Sequence, residues 1–282
     1  MSEVTGLPAA KGPLIYRQSG WTRVTHWVWA ICLFFLLLSG LQIFNAHPSL
    51  YIGEESGFEY DNAVLEMYSA NVDGAPRGRT RILGQEFDTT GVLGMSGPDA
   101  RPQFQGFPGA VTIPSYRDLG TGRVVHFFFG WLFVAAIFVW FLASFLNRHI
   151  WRDIIIKPRD VAGLPRDLVE HATLRFHHGR SYTPLQKFAY FGVFFVLFPL
   201  IILTGLTMSP GMDAALPWLL DLFGGRQTAR TIHFVVMALL VLFFIVHIAM
   251  VLVAGPLNEL RSMITGWYRA SPGTPTVEGD KP

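Results

Sequence analysis

The feature that most constrains this chain is a long apolar stretch, 230–254, which reads RTIHFVVMALLVLFFIVHIAMVLVA. From Thr231 onward, at about 1.5 Å per residue, it is long enough to cross a hydrocarbon core of about 30 Å. The only ionisable side chains inside that span are those of His233 and His247. Polar groups at such depth are costly unless another helix satisfies them, so the stretch predicts a membrane helix with partners in a bundle.

His233 and His247 are spaced so that they share one face of this helix. Fourteen residues at about 100° each leave them about 40° apart around the axis and about 21 Å apart along it. The two imidazoles therefore face the same side of the helix, near opposite membrane surfaces. Each needs its own partner from another helix.

The composition agrees with an integral membrane protein. Of the 282 residues, 51% are hydrophobic and only 15% are charged, so lipid is the expected surrounding and no nucleic-acid partner is expected. Cys32 is the single cysteine, which excludes a disulfide framework, a Cys-ligated iron–sulfur cluster and a C-x-x-C-H attachment site for a c-type haem. Any metal ion must be held by histidine or carboxylate.

Hydropathy along the chain predicts an all-α integral membrane protein, a bundle of four transmembrane helices. A long polar insertion separates the first two helices, and its Gly, Pro and acidic residues predict irregular extramembrane structure. We expect one membrane domain, 1–267, and a flexible tail, 268–282. The spans are expected at about 24–44, 124–146, 188–208 and 231–254, with the insertion at about 47–122 and a kink at Pro199.

Loop charge predicts the orientation of these spans. Lys and Arg outnumber Asp and Glu in the two termini and the 147–187 connection, whereas acids prevail in the 47–122 insertion and the 209–230 loop. By the positive-inside bias, both termini are cytoplasmic, the insertion is periplasmic, and the protein belongs in a bacterial inner membrane.

The histidines inside the spans fall into two pairs by depth. His126 and His233 both lie about one turn inside helices that start at the predicted periplasmic face. His26 begins a helix at the cytoplasmic face, and His247 lies far along a helix that heads there. The sequence therefore predicts that His126 meets His233 and that His26 meets His247, at two levels of the membrane.

A repeated motif, Arg-x-x-His-aromatic, accompanies three of these histidines. Arg23, Arg123 and Arg230 each precede a histidine by three residues, so each lies on the same helix face, one turn nearer the membrane surface. A guanidinium there suits the propionates of a buried haem, although Arg at a helix end is also a common membrane anchor. His247 has no such arginine.

Two histidines that face each other from separate helices can ligate one haem iron axially, whereas zinc normally needs a third or fourth protein ligand. The simpler reading is that each histidine bonds a backbone carbonyl or a hydroxyl within the bundle. Glycines in the spans either make room for a macrocycle or let helices approach closely. These are Gly40, Gly130, Gly192 and Gly205, while the histidines expected in solvated loops are His47, His149, His171, His177 and His178.

With these residues in place, the chain resembles the four-helix, two-haem cytochrome b subunits of the bacterial cytochrome b561 and nickel–iron hydrogenase cytochrome b group. The resemblance rests on R-V-T-H-W, R-V-V-H-F and R-T-I-H-F, with H-I-A-M fourteen residues after the last histidine. Two further stretches, SGLQIFNAHPSLYIG and PWLLDLFGGRQTARTIHF, resemble the thiosulfate-reductase-type branch. That branch implies a periplasmic partner enzyme, either a molybdopterin oxidoreductase or a hydrogenase-like subunit.

The resemblance implies an electron-transfer subunit with two haem b groups, rather than a stand-alone enzyme, that links the partner to the quinone pool. It also implies an exchangeable quinone beside the cytoplasmic haem, with Trp27, Asn147, His149 and Trp267 as expected neighbours. Two alternatives stay open. One is a stand-alone quinone reductase or superoxide oxidase of cytochrome b561 type, and the other is a haem-free transporter or structural bundle whose histidines serve a proton path.

Overall fold

The computed structural model describes residues 12–98, 101–173 and 182–270. Its helices are α1 (Gly20–Phe44), α2 (Leu119–Leu146), α3 (Pro158–Ala172), α4 (Pro184–Gly192), α5 (Phe198–Thr207), α6 (Pro210–Ala215), α7 (Trp218–Phe223), α8 (Arg226–Ala254) and α9 (Pro256–Thr265). Its strands are β1 (Leu14–Tyr16), β2 (Ser49–Tyr51), β3 (Ala63–Val72), β4 (Ala75–Ile82), β5 (Gln85–Asp88) and β6 (Trp267–Arg269). His177 and His178, which were predicted to lie in solvated loops, are outside the described residues.

Within the described residues, four helical segments are long and apolar enough to cross a membrane, as the sequence predicted. They are α1, α2, the segment Pro184–Thr207 and α8. Each begins four or five residues before the predicted span, because its first turn lies outside the apolar run. Many of their large apolar side chains are exposed, such as Phe244 and Leu252 of α8, which fits contact with lipid tails.

The fold divides into two compact units. Of the described residues, one unit comprises 28–98, 101–138 and 193–241, and the other comprises 12–27, 139–173, 182–192 and 242–270. His126 and His233 lie in the first unit, and His26 and His247 lie in the second.

The third span is irregular just before Pro199. Between α4 and α5, Val193–Leu197 forms a π-helical segment, and Pro199 is the second residue of α5. Proline lacks an N–H group and clashes with the carbonyl four residues earlier, which here is that of Phe195. The break predicted at Pro199 is therefore accommodated in the preceding turn by a π segment.

The insertion between α1 and α2 is not irregular, so that prediction was wrong. It contains a four-stranded antiparallel sheet in the order β2-β3-β4-β5. Met67 of β3 is buried with Leu50 of β2 and with Phe44 at the end of α1, and Phe234 packs against this cluster. The sheet thus places one face on an apolar core that includes helix residues.

Two tight turns build this sheet. Asp73-Gly74 joins β3 to β4 and Leu83-Gly84 joins β4 to β5, and all four residues have positive φ. Two positive φ values at the centre of a two-residue loop are the geometry that matches the twist of a hairpin. Asp-Gly is a strong hairpin signal, and it was present in the sequence.

Side-chain hydrogen bonds fasten the insertion to the ends of α1 and α8. The Asn45 amide donates to the carbonyl oxygen of Phe107 (2.9 Å), and the N–H of Phe107 donates to the Asn45 Oδ1 (2.7 Å). The Thr231 hydroxyl donates to the Tyr51 carbonyl (2.7 Å), and the Gly53 N–H donates to the Thr228 hydroxyl (2.7 Å). These bonds satisfy backbone groups that would otherwise be buried without partners.

The first residues of the predicted flexible tail are ordered, so that boundary was wrong. Tyr268 and Arg269 belong to β6, which pairs antiparallel with β1, and the Tyr268 side chain is only 2% exposed. Strand pairing and burial with Ile15 order these residues, which the hydropathy pattern did not indicate. Of the predicted tail, 271–282 lies outside the described residues.

A buried ion pair joins α3 to the first turn of α4. The Lys187 ammonium lies 2.9 and 3.0 Å from the two oxygens of Asp160, and both side chains are more than nine-tenths buried. Asp167 of α3 also accepts the backbone N–H of Leu185 (2.7 Å), so it caps the start of α4. The carboxylates of Asp160 and Asp167 therefore attach α3 to the start of the third span.

Lys187→Met is expected to destabilise the protein by about 3–5 kcal/mol, because it leaves the Asp160 carboxylate buried without its cation. The measurement is the thermal unfolding midpoint in detergent, which should fall. Lys187→Met/Asp160→Asn should recover part of the loss, since no lone charge is left. Arg166→Met is the matched control: its pair with Glu170 is on the surface of α3, and its loss should cost less than about 1 kcal/mol. An equal effect of both single variants would contradict this account.

Candidate bis-histidine sites

His126 of α2 and His233 of α8 face each other, with ring centroids 6.4 Å apart. An imidazole nitrogen binds a metal ion at about 2.0–2.1 Å, and the ring centroid lies about 1.1 Å behind it, so two rings on opposite sides of one ion have centroids about 6.2 Å apart. The observed separation matches that geometry. The two rings are too far apart to form a hydrogen bond with each other, and they are close enough to bind one metal ion between them.

Hydroxyl groups orient both of these rings. The Ser39 hydroxyl donates to the Phe35 carbonyl (2.6 Å) and lies 3.1 Å from His126 Nδ1. The Thr204 hydroxyl likewise donates to the Leu200 carbonyl and lies 3.0 Å from His233 Nδ1.

Because each hydroxyl hydrogen is already used, its oxygen accepts the Nδ1–H of the imidazole. That bond sets the tautomer and leaves the Nε2 lone pair of each histidine free for a metal ion. Sequence reasoning did not find Ser39 or Thr204. Both are fully buried, so these hydrogen bonds are not exchanged with water.

Glycines next to these hydroxyls make room for the rings. A Cβ at Gly40 would lie 3.2 Å from His126 Cε1, and one at Gly205 would lie 3.3 Å from His233 Cε1. A Cβ at Gly130 or Gly192 would meet no such ring. Gly40 and Gly205 therefore accommodate the imidazoles themselves. A repeated string, Leu-Ser-Gly-Leu at 38–41 and Leu-Thr-Gly-Leu at 203–206, was the signal for this in the sequence.

The second pair, His26 of α1 and His247 of α8, has nearly the same separation, with ring centroids 6.3 Å apart. Phe243 stacks on His247, and Trp27 meets His26 edge-on. His26 Nδ1 is buried and has no hydrogen-bond partner among the described residues. A buried nitrogen without a hydrogen-bond partner costs free energy of folding. Here it belongs to a ring that faces a second imidazole.

The three arginines of the motif are not neutralised by carboxylates within the described residues. Arg123 is exposed, with its guanidinium carbon 5.8 Å from the Phe127 ring centroid. Arg230 donates to the His47 carbonyl, and Arg23 donates to the Ile264 carbonyl (2.6 Å) while its Nε is buried without a partner. All three retain N–H groups for an anion, and their contact with haem propionates stays a prediction.

No group of three or more His, Cys, Asp or Glu side chains comes together among the described residues. Zinc sites normally take three or four protein ligands, whereas haem iron needs only two from the protein. Both histidine pairs therefore fit a bis-imidazole haem site better than a zinc site.

Of the residues expected to surround the quinone, only Trp27 is given a contact with a histidine of the two pairs within the described residues. Trp27 touches His26, and its indole N–H donates to the Met263 carbonyl (3.1 Å). Trp267 packs edge-on against Tyr16. Asn147 Oδ1 accepts the N–H of His149 (2.9 Å), so the contacts of this pair are local.

Of the histidines expected in solvated loops, His149 and His171 are largely buried against carboxylates, in contrast to that expectation, whereas His47 is exposed. His149 Nδ1 lies 2.8 Å from an Asp153 oxygen, and His171, which lies in α3, contacts Asp167. Burial would raise the pKa of Asp153, but hydrogen bonds from His149 and Arg152 outweigh it and lower that pKa to about 2. His47 is exposed and bonds the Tyr51 hydroxyl at 3.1 Å.

Thr204→Val is expected to lower the affinity for a haem bound at His126 and His233 by about 10-fold, because the His233 Nδ1–H loses its hydroxyl acceptor and keeps only the backbone contact with Ile201. The same change should raise the midpoint potential of that haem, since the imidazole becomes a weaker donor to ferric iron. Haemin titration and redox titration measure the two effects. Thr207→Val is the matched control, because the Thr207 hydroxyl bonds only the Thr204 carbonyl. Unchanged affinity and potential in Thr204→Val would refute the orienting role.

Four apolar helices, three of which carry paired histidines, together with hydroxyls that orient two of the rings, define the class of membrane cytochromes that hold haem between helices. The chain belongs to the prokaryotic cytochrome b561 family, whose profile matches residues 17–266. It is therefore a membrane haem b electron-transfer protein.

One curated relative is a chain named as subunit YedZ1 of a protein-methionine-sulfoxide reductase in Azospira oryzae. The two are 24% identical over 234 residues, which cover 82% of this chain and 87% of the relative. No solved structure matches the chain.

Proposed function

We propose that this chain binds two haem b groups, one between His126 and His233 and the other between His26 and His247. The observation that carries the proposal is the separation of the ring centroids, 6.4 and 6.3 Å, in two pairs that share no residue. Both values fit two imidazoles on opposite sides of one ion, at about 6.2 Å. The oriented tautomers at His126 and His233 and the orphaned Nδ1 of His26 add support.

If bound, each haem would be held by the two imidazoles of its pair and would supply one-electron redox chemistry. The surrounding residues hold the imidazoles in place, with Ser39 and Thr204 as acceptors, and present apolar walls that exclude water. The guanidinium groups of Arg123 and Arg230 bind propionates near one membrane surface, and Arg23 does so near the other. Because each group would take two imidazoles from the protein, the arrangement favours electron transfer over O₂ chemistry.

The two sites are joined by α8, which carries His233 and His247 fourteen residues apart. Electrons pass between a partner enzyme on one side of the membrane and a quinone on the other. We place both termini in the cytoplasm and the insertion in the periplasm, since basic residues predominate in the termini and the 147–187 connection. Alkaline phosphatase fused after residue 146 should be inactive if this orientation is right, and active if it is reversed.

The partner is a periplasmic oxidoreductase, of the molybdopterin or hydrogenase-like type. The similarity to a chain named as a reductase subunit supports a partnership of this kind. The insertion supplies the docking surface: Phe58 and Tyr60 are 88% and 58% exposed and stand among the acids Glu55, Glu59 and Asp61. Phe58→Ala/Tyr60→Ala should weaken co-purification of the partner at least tenfold, whereas Phe104→Ala, another exposed aromatic of the insertion, should not.

The direct test is the spectrum and turnover of the purified protein. We expect two low-spin haem b components, reduction of both by a quinol, and no turnover of substrate without a partner. Turnover by the isolated chain would identify a stand-alone quinone reductase or superoxide oxidase instead. Absence of a Soret band from carefully prepared protein would favour a haem-free transporter or structural bundle.

A further inference from the structure

A polar cavity of about 440 Å³ lies beside α3 and the start of α4, apart from both histidine pairs. Four basic side chains line it, those of Arg152, Lys157, Arg159 and Lys187, together with the acids Asp153 and Asp160. The chain segments around it directly follow the second span and directly precede the third. The cavity therefore belongs to the polar zone next to the membrane, where lipid headgroups are found.

Both acids in the cavity are already satisfied. Asp160 accepts bonds from Lys187 (2.9 and 3.0 Å) and from the backbone N–H of Lys157 (2.9 Å). Asp153 is held by His149 and by Arg152, each within 2.9 Å. Burial opposes ionisation of Asp160, yet the bonds from the Lys157 backbone and Lys187 keep its pKa below the ordinary value. The two carboxylates thus bind Lys187 and Arg152 directly, whereas Arg159 interacts with Asp160 only through space.

Lys157 and Arg159 are the two basic groups of the cavity lining that form no direct ion pair within the described residues. The Lys157 ammonium has one contact within the described residues, the Arg152 carbonyl at 3.4 Å, and Arg159 is exposed and forms no ion pair within them. The N-termini of α3 and α4 also meet this cavity, through Asp160 and Pro184. Asp160 and Asp167 already cap these two N-termini, so the positive charge offered to a ligand is mainly that of Lys157 and Arg159.

We propose that this cavity binds a phosphate group, with Lys157 and Arg159 as the donors. The ligand is the phosphodiester of an anionic phospholipid headgroup or a free phosphate ion, which share the same oxygens and charge. Arginine matches phosphate in geometry, lysine adds a mobile charge, and basic pockets beside transmembrane helices suit anionic headgroups. The site is independent of the histidine pairs and of the partner enzyme.

The experiment compares the haem-loaded wild type with Lys157→Gln/Arg159→Gln by native mass spectrometry after delipidation and addition of phosphatidylglycerol. We expect one tightly retained phosphatidylglycerol in the wild type, and at least tenfold weaker retention in the double variant. Phosphatidylcholine, which carries no net charge, should not compete. The control is Arg148→Gln/Arg166→Gln, which removes two other basic residues near the same spans and leaves the cavity lining intact.

A second arm titrates inorganic phosphate and follows the thermal unfolding midpoint. A rise in the wild type with phosphate, without retention of lipid, would assign the site to free phosphate, and the double variant should abolish that rise. Failure of the wild type to respond in both arms would overturn the proposal. Equal losses in the double variant and its control would also overturn it, because they would show a general surface charge effect. An unchanged haem spectrum in both variants verifies their folding.

Discussion

His233→Ala halves the haem b bound per chain, from two groups to one, as the largest single effect that we expect. His233 faces only His126 across a gap that matches one shared ion, so its loss leaves that haem with a single axial ligand. The pair His26 and His247 keeps its own separation of 6.3 Å and retains its haem. The pyridine haemochrome assay gives the stoichiometry, and redox titration should lose one of two one-electron components.

The matched control is His47→Ala. His47 is exposed in the insertion, its ring bonds only the Tyr51 hydroxyl, and the carbonyl that it offers to Arg230 survives the substitution. We expect both haems in this variant. His247→Ala should remove the redox component that His233→Ala leaves. Retention of both haems in His233→Ala would overturn the assignment of ligands.

Gly205→Leu should abolish the same haem site although every histidine remains. A Cβ at this position already lies 3.3 Å from His233 Cε1, and a larger side chain must push the ring away from His126. Overpacking of this kind costs about 1–3 kcal/mol, and here the strain falls on the ligand itself. Gly205→Ala should give an intermediate loss of haem, and Gly40→Leu should mirror the effect from the side of His126.

Gly192→Leu is the control for this prediction, because a Cβ there meets nothing within 4 Å and the residue lies in the same span. Haem content should stay at the wild-type value. If Gly205→Leu and Gly192→Leu lost haem equally, the effect would be general destabilisation of the helix. If Gly205→Leu kept full haem content, the close fit around His233 would have no role in binding.

The histidine pairs could be predicted from the sequence because depth in a membrane is a one-dimensional property. His126 and His233 lie at the same distance from the start of their helices, and the structure brings their rings together. The contacts of Ser39 and Thr204 with the histidines could not be predicted in this way. Which hydroxyl meets an Nδ1 atom depends on the rotation of neighbouring helices, and no count along the chain specifies it. The repeated Leu-Ser/Thr-Gly-Leu string pointed to both positions without saying what they touch.

For the insertion, the prediction of irregular structure from the sequence was wrong. Its sheet was missed because β3 and β4 are not strongly alternating, and because Gly and Pro suggested loops. The Asp73-Gly74 turn was nevertheless a local hairpin signal, and the burial of Met67 against Phe44 is a contact with another element. Pairing of β1 with β6 likewise joins the two ends of the described chain, at a separation in sequence that no local pattern reports.

The amino-acid sequence alone determined the number of membrane-crossing helices, the pairing of the histidines by level and the family resemblance, since hydropathy and helical rise act along a single axis. Only the tertiary structure decided which groups orient the rings, how the insertion is fastened to α1 and α8, and where, within the described residues, two basic groups lack an ion pair. Those features depend on distances between atoms far apart in the chain, which are set when side chains from different helices pack together.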